Sequence, residues 1–524
     1  MHDYVIVGAG SAGCVLANRL SEDPSVRVLL LEAGGSDRSL NVKIPAAFPK
    51  QFHTKLDWDF STEPEPCVDD RSLYMPRGKA LGGSSSMNAM LYVRGRPLDY
   101  DGWEAQGASG WGYRDVLPYF IRSEDNARGA SAYHGAGGPL RVSEQRSPRP
   151  LDRRLLAASE AAGIPRIADY NGPEQDGVSM FQVTQRNGRR FSAADAFLRP
   201  VRARPNLEIR TGATVLGVEL EGERAVGVRL RRGRDGVELV RADREVLLSA
   251  GAIGSPHLLL LSGVGPADEL AAAGVEARHD LRGVGANLQD HPFVTLIWEV
   301  SDTDTLYGAE KPKPLAEWLL RRSGPLSSTV AEVVAFTRTR GGLPAADIQF
   351  HMGAAYFDDH GAETYDGDCM VIAPVLVSPR ARGRVWLRSA DPTSKPRIIT
   401  NSLSEPDDVE SMIAGMHLAR EIAAQGPLRE IVVQELKPGA QAVGREELEA
   451  DLRHRLMLIY HPVGTARLSD THADAVVDSQ LRVHGLEGLR VVDASVMPTI
   501  PGGNTNAPTM MIAERAADLI RGRA

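Results

Sequence analysis

The sequence predicts an α/β protein, α+β overall, with one domain on a mostly parallel sheet and a second on antiparallel strands. Three observations lead there. An apolar strand, a glycine turn and a helix open the chain, a period-two pattern broken by turns follows residue 206, and another strand–loop–helix unit stands at the C-terminal end. At 524 residues the chain exceeds the roughly 100–200 residues of one domain, so at least two packed units are expected.

The opening segment carries the first observation. Tyr4-Val5-Ile6-Val7 reads as a buried strand, and Gly8-Ala9-Gly10-Ser11-Ala12-Gly13 fits the GxGxxG pattern at a strand-to-helix corner. The first glycine permits the tight turn, the second lets a pyrophosphate approach the backbone, and the third lets the helix pack closely on the strand. Ala12, Val15, Leu16 and Leu20 share one face of that helix, which ends near Asp23-Pro24 and aims its free N–H groups at the phosphates. Arg27-Val28-Leu29-Leu30-Leu31 is the second strand, and it delivers Glu32, with Ala33 beside it, about twenty residues beyond the glycines. A carboxylate there accepts hydrogen bonds from ribose hydroxyls and repels a 2′-phosphate. The unit is therefore Rossmann-like and suits an adenine dinucleotide other than NADP.

A second glycine-rich segment is Arg77-Gly78-Lys79-Ala80-Leu81-Gly82-Gly83-Ser84-Ser85-Ser86-Met87-Asn88, followed by Ala89. Its glycines suit close backbone approach, and the apolar residues around it mark a cofactor-contacting turn rather than a linker. A helical pattern covers 151–164. From Asn206 the period changes to two: Val226, Val228 and Leu230 alternate with polar or small residues, as do Val237 and Leu239 after a turn at 233–236, and an antiparallel meander is predicted. It runs into Glu245-Val246-Leu247-Leu248-Ser249-Ala250-Gly251, an apolar strand that returns the chain to the first sheet. A helix opens at Gly251, with Pro256 suited to its first turn, and stops at Gly263.

Strands at 335–337, 348–351 and 371–377 predict the second domain. The strand Leu489-Arg490-Val491-Val492-Asp493-Ala494 and a helix over 509–520 close the parallel sheet. Asp493 is placed to meet a ribityl or phosphate-linked hydroxyl, or to cap a turn. The cofactor domain is expected from residues 1–150, 190–292 and 455–524, and the substrate domain from 151–189 and 293–454.

Composition narrows the function. Apolar content of 42% with 24% charged residues is that of an ordinary globular enzyme rather than a disordered or membrane-embedded chain. A net charge of −8 argues against nucleic-acid partners, and the arginine-dense stretch at 229–234 alternates with apolar residues as a solvated strand face does. Cys14, Cys67 and Cys369 lie far apart, so neither a disulfide framework nor a zinc site is indicated. No apolar run approaches the roughly 18 residues of a membrane span, and the glycine motif so near Met1 is read as leaving no room for a signal peptide; a cytoplasmic location is expected.

Together these segments resemble the glucose–methanol–choline (GMC) oxidoreductase family over nearly the whole chain. The most specific pieces are the segment from Gly78 to Asn88 continuing to Tyr92, the run from Gly251 ending Ser262-Gly263-Val264-Gly265, and Gly285-Ala286-Asn287-Leu288-Gln289-Asp290-His291. Tyr460-His461-Pro462-Val463-Gly464-Thr465 and Asp493-Ala494-Ser495-Val496-Met497-Pro498, with Gly502-Gly503-Asn504-Thr505-Asn506-Ala507-Pro508-Thr509 behind it, complete the set. The resemblance implies FAD, with His461 as catalytic histidine and Asn504 as its partner. It extends the expected cofactor contacts from Gly8, Gly10, Ser11, Ala12, Gly13, Glu32 and Ala33 to Arg77, Gly78, Gly82, Gly83, Ser84, Asn88 and Ala89. Val215, Ala250, Gly251, Asp493, Ala494, Thr505 and Asn506 are expected there too. Members with a covalently tethered flavin carry a histidine just before the asparagine of the second glycine segment. Met87 stands there instead, so non-covalent FAD is expected.

The implied reaction oxidises a primary alcohol to an aldehyde by hydride transfer to flavin N5, with dioxygen, a quinone or another acceptor reoxidising the flavin. A neutral imidazole of pKa about 6.5 can take the hydroxyl proton, and an asparagine N–H can stabilise the developing alkoxide. Glu332, His351, Tyr356 and Phe357 are candidates to face the substrate. Glu332 is either a partner for a quaternary ammonium such as choline or a structural acid. An FAD-containing lyase of the hydroxynitrile lyase kind, on the same fold, and an NAD-dependent dehydrogenase are the alternatives. No GxSxG elbow or HExxH motif is present to support a serine hydrolase or a zinc protease.

Overall fold

The structure is a computed structural model that describes residues 2–233 and 236–523. The chain opens with β1 (His2–Val7), α1 (Ser11–Leu20) and β2 (Val28–Glu32). After a loop-rich stretch that includes helices at Pro97–Ala105 and Tyr113–Ser123 come α2 (Pro150–Ala161), β3 (Gly177–Met180), β4 (Leu207–Thr211), β5 (Ala213–Glu221), β6 (Arg224–Arg232), β7 (Val237–Leu248) and α3 (Gly251–Leu261). The next group is β8 (Pro292–Phe293), β9 (Leu296–Val300), α4 (Pro312–Arg321), β10 (Val333–Thr337), β11 (Ile348–Gly353) and β12 (Cys369–Leu376). The chain ends with α5 (Pro406–Ala423), β13 (Val432–Lys437), β14 (Met457–Leu458), β15 (Leu489–Val491) and α6 (Asn506–Ile520).

The first sheet runs β4–β2–β1–β7, with β15 also paired to β7, and every one of these pairs is parallel. β7 does two jobs along its length. Its first half pairs antiparallel with β6, Gly227 opposite Arg241, and its second half lies between β1 and β15, Val246 opposite both Val5 and Leu489. Strands enclosed on both faces must be apolar throughout, which is why Val5, Ile6, Leu29, Leu30, Val246 and Leu247 are all fully buried.

The second sheet runs β13–β9–β12–β11–β10–β3, all antiparallel, with β8 bridging β12 and β14. Period-two alternation divides its faces. Ile348, Phe350 and Met352 of β11 join Met412 and Met416 of α5 in one apolar cluster, while Gln349 and His351 point the other way.

Two expectations change in detail. α3 begins at Gly251, so Pro256 lies inside the helix rather than in its first turn. The meander forms, but Val237 and Leu239 are exposed, because they sit opposite Arg231 and Arg229 on its solvent face while Val240 pairs with Val228 on the buried one. The expected turn at 233–236 includes Arg234 and Asp235, which lie outside the described residues. Among the described residues no helix is long and apolar enough to cross a membrane.

Candidate active site

A cavity of about 350 Å³ runs from the opening glycine turn, past β7 and α3, to the face of the antiparallel sheet. The three glycines of the turn have different reasons to lack a side chain. Gly8 has φ +101°, and a Cβ there would stand 2.5 Å from Ser249 O. A Cβ on Gly13 would stand 1.9 Å from Gly8 O, so this residue is what lets α1 pack on β1. At Gly10 a Cβ would meet nothing nearer than Gly83 Cα at 4.0 Å, so the backbone there is open to the cavity.

The second glycine segment lies against the first. Gly82 N donates to Ala9 O at 2.7 Å, and a Cβ on Gly83 would come within 2.7 Å of Gly10 Cα. Gly10, Ser11, Ala12, Ala33, Arg77, Gly78, Gly83, Ser84, Asn88 and Ala89 all line the cavity, as do Val215, Ala250, Gly251, Ala494, Thr505 and Asn506. Gly13 and Gly82 stand behind this wall and hold it. Asn88 is fixed by Arg190, whose Nη1 donates to its Oδ1 at 2.8 Å.

Glu32 lies at the far end of the cavity, at the close of β2. Its two oxygens accept from Ala9 N at 2.9 Å and Gly34 N at 2.8 Å, and burial pushes its pKa up to about 7. Each oxygen keeps a second lone pair for a ribose hydroxyl. Asp493 also borders the cavity, but its carboxylate is occupied as a cap: it accepts from Gly251 N, Ser255 Oγ, and both N and Oγ of Ser495. The residues fit an FAD. Gly10 offers no side chain to cap the first turn of α1, leaving those N–H groups for phosphate, and Ser249 Oγ, which has no partner, belongs to a residue of the cavity wall. No cluster of His, Cys, Asp or Glu suited to a metal occurs among the described residues.

At the other end of the cavity the structure brings together His461 and Asn504. Asn504 Nδ2 donates to His461 Nε2 at 3.2 Å, and Gln349 Nε2 donates to Asn504 Oδ1 at 3.2 Å. On its other side His461 Nδ1 lies 3.1 Å from His291 Nδ1. One oxygen of Asp290 accepts both His291 N and His461 N, each at 2.8 Å, so a single carboxylate sets the spacing of the two histidines. Burial, with His291, His351 and Arg77 adding to it, holds the His461 pKa well below the usual imidazole range, and the ring is neutral at pH 7. Burial likewise lowers His291 and His351 to about 3 and raises Asp290 to about 7.

Of the four substrate-facing candidates, His351 and Phe357 line the cavity. Glu332 does not: its buried carboxyl lies against Asp152, and burial and that neighbour raise its pKa. Tyr356 donates its hydroxyl to Glu363 at the surface. The wall beside His461 is apolar instead, built from Phe48, Phe52, Phe293, Phe357, Val371 and Ile459. Its only carboxylates among the described lining residues are Glu32 and Asp493, at the dinucleotide end.

A parallel sheet with a glycine-turn cavity leading to a histidine–asparagine pair under an antiparallel sheet defines a two-domain dinucleotide-dependent oxidoreductase. The GMC oxidoreductase family models match residues 2–293 and 379–513. An alcohol dehydrogenase [acceptor] of Pseudomonas putida is 43% identical over 99% of this chain and 96% of its own length. An oxygen-dependent choline dehydrogenase of Photobacterium profundum is 42% identical, over 99% and 93%. Among solved structures, pyridoxine 4-oxidase from Mesorbium loti superposes over all of both chains with TM-score 0.91 and 33% identity. An FAD-dependent oxidoreductase from Chaetomium thermophilum does so over 100% and 99%, with TM-score 0.90 and 26% identity. The chain belongs to the GMC oxidoreductase family.

Proposed function

We propose that this enzyme uses non-covalently held FAD to oxidise a neutral primary alcohol with an apolar body to the aldehyde. The observation that carries the reading is the contact between His461 Nε2 and Asn504 Nδ2 at 3.2 Å, both residues lining the same cavity as the glycine turn. An alcohol hydroxyl entering between them donates its hydrogen to the Nε2 lone pair and accepts from the Asn504 amide, so neither group loses a partner. His461 then takes the hydroxyl proton as general base, and Asn504 stabilises the negative charge left on oxygen, an effect worth roughly 3–4 kcal/mol in a dry site. FAD, when bound, supplies the hydride acceptor at its N5. Gln349 holds the Asn504 amide in the orientation that keeps its N–H toward the ring. Met87 stands where a tethering histidine would be, and a thioether does not form that bond.

A neutral substrate is supported by the apolar wall and by the absence of a carboxylate near His461 among the described lining residues. Glu332, the sequence-level candidate for pairing a quaternary ammonium, is turned toward Asp152. Dioxygen or a quinone completes the cycle. His461→Ala is expected to stay yellow while turnover with the best alcohol falls roughly 10²–10⁴-fold; unchanged turnover refutes His461 as base. The same protein, mixed anaerobically with benzyl alcohol, 1-octanol or choline, is expected to bleach with the neutral alcohols. Bleaching by choline alone would overturn the neutral-substrate reading, and the rate of recolouring in air separates an oxidase from a dehydrogenase.

A further inference from the structure

α4 turns an apolar face to solvent. Trp318 is fully buried in a small cluster with Ile44, Ala47 and Leu326, while Leu315, Leu319 and Leu320 are 36%, 48% and 84% exposed. A surface helix ordinarily buries its apolar stripe and shows its polar side; here one residue anchors the helix and the leucines face out. Within residues 310–322, Lys311 and Lys313 stand at one end of that face and Arg321 at the other, with Glu310 and Glu317 as the acids of this stretch, while Arg322 stacks on Trp318 at 4.1 Å. Close by, Tyr307 is half exposed, with Lys311 Nζ 5.4 Å from its ring centroid and its hydroxyl donating to Asp366.

We propose that α4 is an interfacial helix that seats this enzyme on an anionic bilayer surface, its leucines entering the boundary between headgroups and acyl chains and its cations meeting lipid phosphates. The residue types match that setting: leucines on one face, Lys and Arg beside them, and a tyrosine at headgroup level. A second copy of the chain fits less well. A ten-residue helix presents a footprint of about 15 by 10 Å, or about 150 Å², against the roughly 800 Å² per partner of a stable protein interface. Insertion of such a helix to about 5–10 Å depth needs no larger patch. Ala47 of the Trp318 cluster belongs to the turn Pro45–Gln51, which also supplies Phe48 to the cavity, so the buried side of the helix rests on the turn that reaches the cavity's apolar end. This inference goes beyond alcohol oxidation and does not rest on it.

The test is co-sedimentation of the FAD-loaded enzyme with vesicles of phosphatidylcholine alone or with phosphatidylglycerol added, paired with Leu319→Glu/Leu320→Glu and Lys313→Glu/Arg321→Glu variants. All four positions are exposed, so folding and FAD content should match wild type. Wild type is expected to sediment with the anionic vesicles, with apparent affinity lowered at least about tenfold by either double variant and also by salt near 1 M. Equal binding by wild type and variants overturns the proposal. So does absence of wild-type binding to the anionic vesicles; a wild-type dimer seen by sedimentation velocity that the leucine variant dissociates would then assign the face to a second copy of the chain.

Discussion

Gly10→Ala and Gly13→Ala, three residues apart in one motif, are expected to fail in different ways. A methyl at Gly13 would overlap Gly8 O at 1.9 Å, whereas real Cβ contacts lie beyond 3.0 Å, so α1 must move off β1 by about 1 Å or the turn must open. Overpacking of that kind costs roughly 1–3 kcal/mol or more, and it falls on the folded protein whether or not FAD is present. At Gly10 the backbone is extended, with φ −78°, and the methyl points into free space 4.0 Å from Gly83 Cα. The apoprotein should therefore melt as wild type does, while the methyl fills the approach to the helix N-terminus. FAD affinity should fall at least about tenfold, equivalent to about 1.4 kcal/mol. The assay is thermal unfolding of apoprotein alongside FAD titration by fluorescence quenching. The reasoning is refuted if Gly10→Ala binds FAD as wild type does, or if Gly13→Ala apoprotein melts at the wild-type temperature.

Two further outcomes follow from the cavity's chemistry. Acid precipitation should leave the yellow colour in the supernatant, since Met87 provides no nucleophile to hold FAD; a yellow pellet with a colourless supernatant would sink that reading. Glu32 has its pKa raised by burial from 4.5 to about 7, so between those values the folded protein holds a proton that the unfolded chain has released. Stability from this group is full below pH 4.5 and is lost as pH rises through 7, by roughly 3 kcal/mol in all. Denaturant titrations of apoprotein across that window should show Glu32→Gln with a slope less negative by about one proton than wild type; parallel slopes would show that Glu32 does not titrate there.

The opening unit was legible because its constraints are local. Strand, turn, helix and Glu32 follow one another within thirty-odd residues, and Gly13 answers to Gly8 within the motif itself, although Gly8 is pressed by the distant Ser249. The same was true of β11, whose Ile348-Gln349-Phe350-His351 alternation places two polar residues on one face of a buried strand. That signal could have identified Gln349 as a partner of the site; only His351 was singled out, because the direction of that face depends on pairing with β10 and β12. Glu332 shows the opposite failure: a carboxylate beside the substrate strands looks like a ligand until its contact with Asp152 is seen, and Asp152 lies far away in sequence. Asp493 was read as a cofactor contact or a cap, and its four protein donors come from Gly251, Ser255 and Ser495, two of which no local pattern relates to it.

The family segment from Gly285 to His291 has no residue in the cavity wall, yet it sets the distance between His461 and Asn504. Gln289 exchanges both backbone hydrogen bonds with Val463, N to O at 3.1 Å and O from N at 2.9 Å, two residues past His461. Its side chain donates to Pro498 O at 3.2 Å and accepts from Ile500 N at 3.1 Å, four residues short of Asn504. One glutamine therefore holds both the segment that carries His461 and the loop that carries Asn504. Thr465 then ties this frame to the cofactor side. Pro256, inside α3, has no N–H to give to Ala252 O, and Thr465 Oγ1 donates to that carbonyl at 2.5 Å. Ala252 lines the cavity, so the proline's missing hydrogen bond becomes a point where the segment carrying His461 is fastened to the cavity wall. A proline in a helix first turn would have left no such carbonyl free, and this tie would be missing, leaving the segment held to the wall through Gly464 N to Ala494 O at 3.3 Å.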